Sequence, residues 1–118
     1  MKGVLILAHG SRVQSTKDTI NEVVDMVRDK TGDMPVEIAY MEFCEEDIPY
    51  GIKTLVDKGV DQIKVVPYFL FDGIHIRKDI PEEIGRIMEN YPGVTVEMGK
   101  TLGADERLAE ILVDRIAG

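Results

Sequence analysis

The chain has 118 residues, 44% of them hydrophobic, and carries a formal net charge of −8 at pH 7. Its length and hydrophobic content suit one globular domain over residues 1–118, and no apolar run approaches the roughly 20 residues needed to cross a bilayer. The acidity argues against a nucleic-acid surface, which needs a basic stripe, and one cysteine with two histidines cannot supply a closed four-ligand zinc site.

The first half of the chain predicts two strands with a helix between them. Residues 3–8 are nearly all apolar, as expected for a parallel strand that helices cover on both faces. Ser15 or Thr16 can cap the first helix, and Gly32 stops it. A second strand is expected over residues 36–43.

The second half continues this alternation of strands and helices. Pro49 fits the first turn of a helix, and Asp79 is expected to cap a later one. Pro67 removes one hydrogen-bond donor from the third strand, which suggests a bulge or an irregular strand end. The other expected segments are strands over residues 63–70 and 94–98 and a final helix over residues 105–116.

The resulting order, βαβαβαβα, predicts an α/β protein. Right-handed crossovers favour a flavodoxin-like three-layer fold, in which a four-stranded parallel sheet has the strand order 2-1-3-4. Strands one and three are then neighbours, and the crevice at their carboxyl ends is the expected ligand site. On the final helix, Leu108, Ile111 and Leu112 recur on one face.

The start of the sequence shows no targeting pattern. Met1 and Lys2 lead directly into the first strand without a signal-peptide cleavage site, and a single cysteine cannot form an internal disulfide. We therefore expect a cytoplasmic protein.

Both histidines fall beside the predicted crevice. His9 directly follows the first strand, and His75 lies in the loop after the third. A lone loop histidine is usually a solvated side chain, but two at one strand edge point to chemistry. Imidazole is a borderline metal ligand and a base that works near neutral pH, so this pair predicts metal binding and proton transfer.

An acidic segment follows the second strand. Glu42 and Glu45 are candidates for contacting a ligand, whereas Glu46 and Asp47 are better explained by the N-terminus of the next helix. Cys44 has no sequence neighbour that would activate its thiol, so we expect a small buried residue there.

The loop after the third strand is unusually apolar. Around Gly73 it carries the large side chains Phe69, Leu70, Phe71 and Ile74. These residues either bind a flat apolar ligand or finish the strand and fold inward. A phosphate-binding turn at residues 9–12 is a weaker interpretation, because the Gly-x-Gly-x-x-Gly spacing is absent.

Six short motifs are distributed along the whole chain: Ala-His-Gly-Ser-Arg (8–12), Tyr-Met-Glu-Phe (40–43), Val-Val-Pro-Tyr-Phe-Leu (65–70), Gly-Ile-His (73–75), Asp-Ile-Pro (79–81) and Gly-Ala-Asp-Glu-Arg (103–107). Together they resemble the small, single-domain sirohydrochlorin chelatases. The combination of His-Gly-Ser with Gly-x-His-x-x-x-Asp-Ile-Pro is far more specific than either motif alone.

The resemblance implies a class II chelatase that acts as a homodimer, without ATP or a tightly bound cofactor. Its metal substrate would be Co²⁺, Ni²⁺ or Fe²⁺, inserted into sirohydrochlorin for cobalamin, factor F430 or siroheme biosynthesis. The motif histidines match His9 and His75, which would bind the metal, with His9 also accepting a proton. The residues expected to contact the tetrapyrrole are Glu45, Leu70, Phe71, Asp72, Gly73, Ile74 and His75.

Two features depart from the family pattern. The His-rich insert that some relatives carry before the last strand is absent, which removes a metal store. Cys44 stands beside Glu45 where a small hydroxyl residue is common.

The charge of the substrate adds a requirement. Sirohydrochlorin is a polycarboxylate, which a chain of net charge −8 should repel. Arg12, Arg77 and Lys78 lie next to the histidine motifs and are expected to form a local positive rim, unless they are ordinary solvated charges.

Two other function classes are open to this sequence. A non-catalytic metal-binding or receiver-like module could use the same fold, because fold alone does not fix function. A hydrolase with Cys44 or Ser11 as nucleophile would work without metal and be inactivated by thiol or serine reagents. None of these interpretations involves nucleic acid or a membrane.

Overall fold

Strands and helices alternate along the chain in the predicted order. The computed structural model describes the backbone of residues 1–118 and every side chain except those of residues 75 and 76. A π-helical turn at His75–Asp79 precedes the third helix. The elements are β1 (Lys2–Ala8), α1 (Gln14–Thr31), β2 (Val36–Tyr40), α2 (Ile48–Asp57), β3 (Gln62–Pro67), α3 (Ile80–Met88), β4 (Thr95–Met98) and α4 (Glu106–Ala117).

The strands form one parallel sheet in the order β2-β1-β3-β4, which confirms the predicted topology. β1 lies between β2 and β3, so Ile6 pairs with Ile38 on one side and with Val66 on the other. The carboxyl ends of β1 and β3 are therefore adjacent. This adjacency places the loops that carry the two histidine motifs at one edge of the sheet.

Alternating side chains of β1 build the core on both faces of the sheet. Leu5 and Leu7 belong to the larger apolar cluster, which includes Ile52 of α2 and Ile84 of α3. Ile6 points to the opposite face and packs with Val24 of α1. This distribution follows from the two-residue period of a strand and explains why nearly every β1 residue is apolar.

Two strands end earlier than predicted. β2 ends at Tyr40 rather than at residue 43, because Phe43 has a left-handed φ of 64° that an extended strand cannot contain. β3 ends at Pro67 rather than at residue 70. Proline has no N–H for the ladder, and the chain turns away after the Tyr68 N–H donates to the Leu7 carbonyl at 2.7 Å. Pro67 thus marks an irregular strand end.

Helix starts also differ from the predicted caps. The α1 N-cap is Val13, without a side-chain capping bond, and not Ser15 or Thr16. The turn before α1 is instead closed by Ser11, whose Oγ accepts a hydrogen bond from the Val13 N–H at 3.0 Å. Asp47 does cap α2 as predicted, since its carboxylate accepts from the Tyr50 N–H at 3.0 Å.

Asp79 does not cap α3 with its side chain, contrary to the sequence prediction. Its backbone is already helical, with φ −67° and ψ −41°. The π-helical turn runs directly into α3, so this helix has no extended N-cap residue whose side chain could reach back to the first free N–H groups. Pro81 occupies the first turn of α3, where its missing N–H removes no helical hydrogen bond.

The last helix lies apart from the core. Asp105 caps α4 by accepting from the Arg107 N–H at 2.9 Å, but no residue of α4 is buried. Residues 109–118 are all exposed, including the predicted apolar positions Ile111 and Leu112. Across the described part of the chain, no helix combines the length and apolar character required to traverse a bilayer.

Candidate functional site

A cavity of about 400 Å³ opens at the carboxyl edge of the sheet, where the sequence predicts a ligand site. It lies beside the ends of β1 and β3. Its lining residues are His9, Met41, Tyr68, Phe69, Leu70, Phe71 and Gly73. The wall is mainly apolar and contains one imidazole, which is the composition of a pocket for a largely apolar ligand.

His9 is held against an aromatic wall. Its ring meets the Phe69 ring edge-on, with the centroids 4.4 Å apart and the planes at 69°. Phe69 is buried, with 9% of its surface exposed, whereas His9 is exposed. The contact restrains the imidazole from one side and leaves it accessible to a ligand in the cavity.

In residues 68–74, which we call the apolar loop, hydrogen bonds hold the backbone while most of the large side chains are exposed to solvent. The Leu102 N–H donates to the Phe69 carbonyl at 2.9 Å, and the Gly103 N–H donates to the Leu70 carbonyl at 2.7 Å. Of the large apolar side chains in this loop, only Phe69 is buried, so the inward-folding alternative is correct for Phe69 alone. The other large apolar side chains remain exposed, by 56% for Leu70, 73% for Phe71 and 69% for Ile74.

The remaining predicted residues of this segment surround the end of the loop. Asp72 and Gly73 are exposed, and the Gly73 carbonyl accepts a hydrogen bond from the Arg77 N–H at 3.1 Å. Arg77 also approaches Asp72, with Nε 3.9 Å from Oδ2. The side chain of His75 lies outside the described residues, so its predicted roles as metal ligand, catalytic residue and substrate contact stay predictions.

The loops after β1 and β2 are joined to each other; we call residues 9–12 and 41–46 the loop pair. The Met41 N–H donates to the Ala8 carbonyl at 2.9 Å, and the Glu42 N–H donates to the His9 carbonyl at 3.0 Å. The Cys44 thiol lies 3.6 Å from the Ser11 carbonyl. These contacts extend the pairing of β1 and β2 past the sheet and fix the backbone on both sides of His9.

Gly10 permits this close approach. Its φ is +101°, and a Cβ atom built there would lie 1.9 Å from the Glu42 carbonyl oxygen. Any other residue would push the loops apart. The glycine of the His-Gly-Ser motif therefore serves to hold the loop pair together, and the weak phosphate-turn interpretation is not needed to explain it.

The two arginines predicted for the rim have different partners. Arg12 places its guanidinium carbon 4.1 Å from the centroid of the Phe43 ring. Within the described residues, no ion pair links Arg12 to a carboxylate, whereas Arg77 lies near Asp72. Both arginines are exposed, as a rim requires, but neither lines the cavity itself.

Glu45 and Glu42 are both exposed and do not line the cavity. The backbone of Glu45 accepts the Asp47 N–H at 2.8 Å, just before α2. Glu46 forms a partly buried ion pair with Lys17, with Oε2 and Nζ 3.0 Å apart, and does not cap α2. This hydrogen-bonded pair raises the pKa of Lys17. Cys44 is half-buried.

Behind the loop pair lies the buried side chain of Tyr40. Its surface is 1% exposed, and its hydroxyl has no hydrogen-bond partner among the described residues. Burial raises the pKa of Tyr40, because the phenolate would lose its hydration there. This hydroxyl is a buried polar group without compensation, a costly arrangement in a protein interior.

Sequence reasoning missed two residues of the cavity as site residues, Met41 and Tyr68. Met41 is the first residue after β2, and Tyr68 is the first after β3. Residues immediately beyond parallel strands line the carboxyl edge of a sheet. The true strand ends, had they been known, would have identified both.

An exposed imidazole such as that of His9 can accept a proton or serve as one ligand to a metal ion. The described side chains contain no cluster of three or more His, Cys, Asp or Glu residues suited to hold a metal. A site with few protein ligands leaves coordination positions open, so an ion can be passed on rather than retained. The exposed apolar side chains nearby offer contact area to a flat ligand.

Comparison with known proteins identifies chains with the same fold. The family model described as CbiX matches residues 3–118. The sirohydrochlorin ferrochelatase of Priestia megaterium is 37% identical over 117 residues, and the sirohydrochlorin cobaltochelatase of Methanopyrus kandleri is 32% identical over 136 residues. The structure of the sirohydrochlorin chelatase SirB from Bacillus subtilis subspecies spizizenii, in complex with cobalt, superposes with a TM-score of 0.91 at 30% identity.

These similar proteins differ in length. Each match covers 98% of this chain, but it covers 44% of the Priestia protein and 50% of the SirB chain, against 95% of the Methanopyrus protein. The chain thus spans about half the length of two of these relatives.

Proposed function

The chain belongs to the CbiX family, and we propose that it inserts a divalent metal ion into sirohydrochlorin, with release of two protons and without ATP. In this proposal residues 1–118 act as one chelatase domain in the cytoplasm. The observation that carries it is the exposed imidazole of His9 at an apolar cavity beside the ends of β1 and β3.

The chemistry matches these residues. Metalation must remove water from the ion, distort a planar macrocycle and take two protons from pyrrole nitrogens, so it needs exchangeable ligands and a nearby base. His9 supplies the base and one ligand in this proposal, and His75 supplies the second ligand. A neutral imidazole pair binds the ion without the thiolate ligands that would keep it.

The macrocycle would lie against the apolar loop. Leu70, Phe71 and Ile74 expose large apolar side chains there, and burying them under a flat ring would remove them from water. Asp72, Gly73 and Glu45 would meet the polar rim of the ligand. Arg12 and Arg77 would bind its carboxylates. Their positive charges would offset the repulsion expected between these carboxylates and the acidic chain.

The metal is Co²⁺, Ni²⁺ or Fe²⁺ in this proposal, with cobalt as the principal candidate. Similar proteins carry the names cobaltochelatase and ferrochelatase, so similarity alone does not select one metal. Affinities of an open imidazole site follow the Irving–Williams order, and selection rests on geometry and supply.

We further propose that the active form is a homodimer. The last helix exposes Ile111, Leu112, Val113 and Ile116, an apolar face that a second chain would cover. Two of the relatives are about twice as long as this chain, which agrees with a need for two such units. Light scattering at assay concentration tests this: a fully active monomer would refute it.

The function itself is tested with purified protein, sirohydrochlorin and Co²⁺, by following the change in the absorbance spectrum. We expect acceleration well above a blank that contains only metal and tetrapyrrole. Binding of Co²⁺ with no acceleration would instead support the non-catalytic metal-binding module. Activity that persists after removal of all metal, on an ester or amide substrate, would support the hydrolase.

A further inference from the structure

Phe43 has a strained backbone that its own packing does not explain. In the described part of the chain it is the one residue other than glycine with a positive φ, 64°. Its side chain is 52% exposed, so burial of the ring does not compensate the strain. Strained conformations that the surrounding structure imposes cluster at functional sites.

The loop pair imposes this conformation. Glu42, the preceding residue, is fixed by its N–H bond to the His9 carbonyl and by contact of its carbonyl with Gly10. Cys44, the following residue, is fixed by its thiol contact with the Ser11 carbonyl. Between these two anchors the backbone takes the left-handed conformation at Phe43, and the ring lies against Arg12.

The ring lies against a cation that donates no hydrogen bond within the described part of the chain. The guanidinium carbon of Arg12 lies 4.1 Å from the ring centroid, within range of a cation–π interaction. A guanidinium in contact with an aromatic ring keeps N–H donors that can bind a carboxylate in a fork geometry. Among the described residues, Arg12 forms no ion pair that would compete with a ligand, and the carboxylates of Glu46 and Asp72 lie near Lys17 and Arg77 instead.

We propose that Phe43 is a positioning residue that acts through Arg12. It restrains the guanidinium three residues after His9, so that Arg12 binds a carboxylate of the tetrapyrrole at a lower cost in side-chain freedom. The inference rests on the proposed function, because it requires a polycarboxylate substrate at this edge of the sheet. The turn at residues 42–44 would then contribute to substrate affinity rather than to the metalation step.

The test measures sirohydrochlorin affinity and turnover separately. Phe43→Leu should raise the KM for sirohydrochlorin about two- to fivefold, the scale of an exposed cation–π contact, and leave kcat unchanged. Phe43→Tyr should retain the wild-type KM. Tyr50→Leu is the matched control, because Tyr50 is a similarly exposed aromatic residue, at 53%, that lies in α2 outside the loop pair, and the KM of this variant should not change.

Phe43→Gly separates positioning from stability. Glycine relieves the positive φ, so the variant should be at least as stable to urea as the wild type, yet its KM should rise like that of Phe43→Leu. If KM instead rises only in those Phe43 variants that lose stability to urea, Phe43 has only a structural role and the proposal is overturned.

A double-mutant cycle identifies Arg12 as the intermediary. In the Arg12→Gln background, Phe43→Leu should have no further effect on KM. Additive effects would mean that Phe43 contacts the ligand without Arg12 and would overturn the proposal, while leaving the chelatase function intact. Wild-type protein that neither binds nor metalates sirohydrochlorin would overturn the chelatase function itself, and this inference with it.

Discussion

The loop pair and the apolar loop both line the same cavity, and these two sides are built differently. In the loop pair, hydrogen bonds and the contact at Gly10 fix the backbone next to His9. In the apolar loop, two hydrogen bonds from residues 102 and 103 hold the backbone, but Leu70 and Phe71 extend into solvent. One side positions a reactive group, and the other offers area to a ligand.

This difference predicts separate phenotypes for the two sides. Changes to His9 or to the backbone of the loop pair should affect turnover or folding, because the position of His9 depends on a close-fitting backbone. Phe43 and Arg12, whose side chains are exposed, are the exceptions, since we propose that they act on substrate affinity. Changes in the apolar loop should affect substrate affinity alone, because its exposed side chains contribute little to the folded chain.

The largest effect is expected for His9→Ala. Turnover of Co²⁺ into sirohydrochlorin should fall about 100-fold or more, the usual loss when a catalytic proton acceptor is removed. The exposed side chain contributes little packing, so urea stability should remain near that of the wild type. Val13→Ala, at an exposed residue of the same connection, is the control and should retain turnover. Near-normal turnover in folded His9→Ala protein would remove His9 from the mechanism.

The same measurement on His75→Ala, and on the double variant, tests whether the histidines act as a unit. His75→Ala should mainly weaken Co²⁺ binding, and the double variant should be little worse than His9→Ala alone.

Gly10→Ala should disrupt the loop pair. The added methyl group would lie 1.9 Å from the Glu42 carbonyl oxygen in a backbone with positive φ, so the loops must separate. We expect a loss of at least about 2 kcal/mol in the free energy of unfolding, from backbone strain and lost contacts together. Gly32→Ala is the control, because Gly32 has a positive φ of +69° but open space around it. Equal losses in the two variants would show that the close approach is unimportant.

Phe71→Ala should change affinity without affecting the fold. If the macrocycle buries this ring, KM for sirohydrochlorin should rise roughly tenfold, as expected for the loss of one buried aromatic contact. The ring is 73% exposed in the free protein, so urea stability should not change. Met26→Ala, at an exposed apolar residue of α1, should alter neither property. Loss of stability in Phe71→Ala would contradict the division between the two sides.

The smallest effect concerns Tyr40 behind the loop pair. Because burial raises its pKa, the unfolded chain loses the Tyr40 proton first as the pH rises through about 10, and the free energy of unfolding should then decrease. Tyr40→Phe removes the hydroxyl that has no partner and should increase stability at pH 8 by about 1 kcal/mol. It should also reduce the alkaline loss of stability. A destabilised Tyr40→Phe protein would indicate a hydrogen bond to Tyr40 in solution.

Much of this architecture follows from the sequence because its causes are local. The apolar run of β1 and the regular alternation of elements predict the sheet order, and the position of His9 after β1 predicts the edge that carries the site. Strand ends were less predictable: the strain at Phe43 comes from contacts with the loop after β1, which no local pattern records. The cavity residues Met41 and Tyr68 were missed for the same reason.

Amphipathic spacing also predicts a helix face without indicating what covers it. In α2 the apolar positions, such as Ile52 and Leu55, are completely buried. In α4 the same kind of spacing leaves Ile111 and Leu112 exposed. The difference lies in the chain around the helix: α2 returns across the sheet, whereas α4 begins where residues 102–103 are bonded to the apolar loop.

The exposed position of α4 has a consequence for hydrogen exchange. The strand β1 is hydrogen-bonded to a neighbouring strand on each side. Its amide hydrogens should therefore exchange with deuterium only when the whole domain unfolds. Those of α4 have no tertiary burial within one chain and should exchange through local fraying, over much shorter times. In the proposed dimer, protection of α4 would increase with protein concentration while that of β1 stays constant. The ratio of the two exchange rates would then report assembly within a single sample, with the exchange rate of β1 as the internal reference.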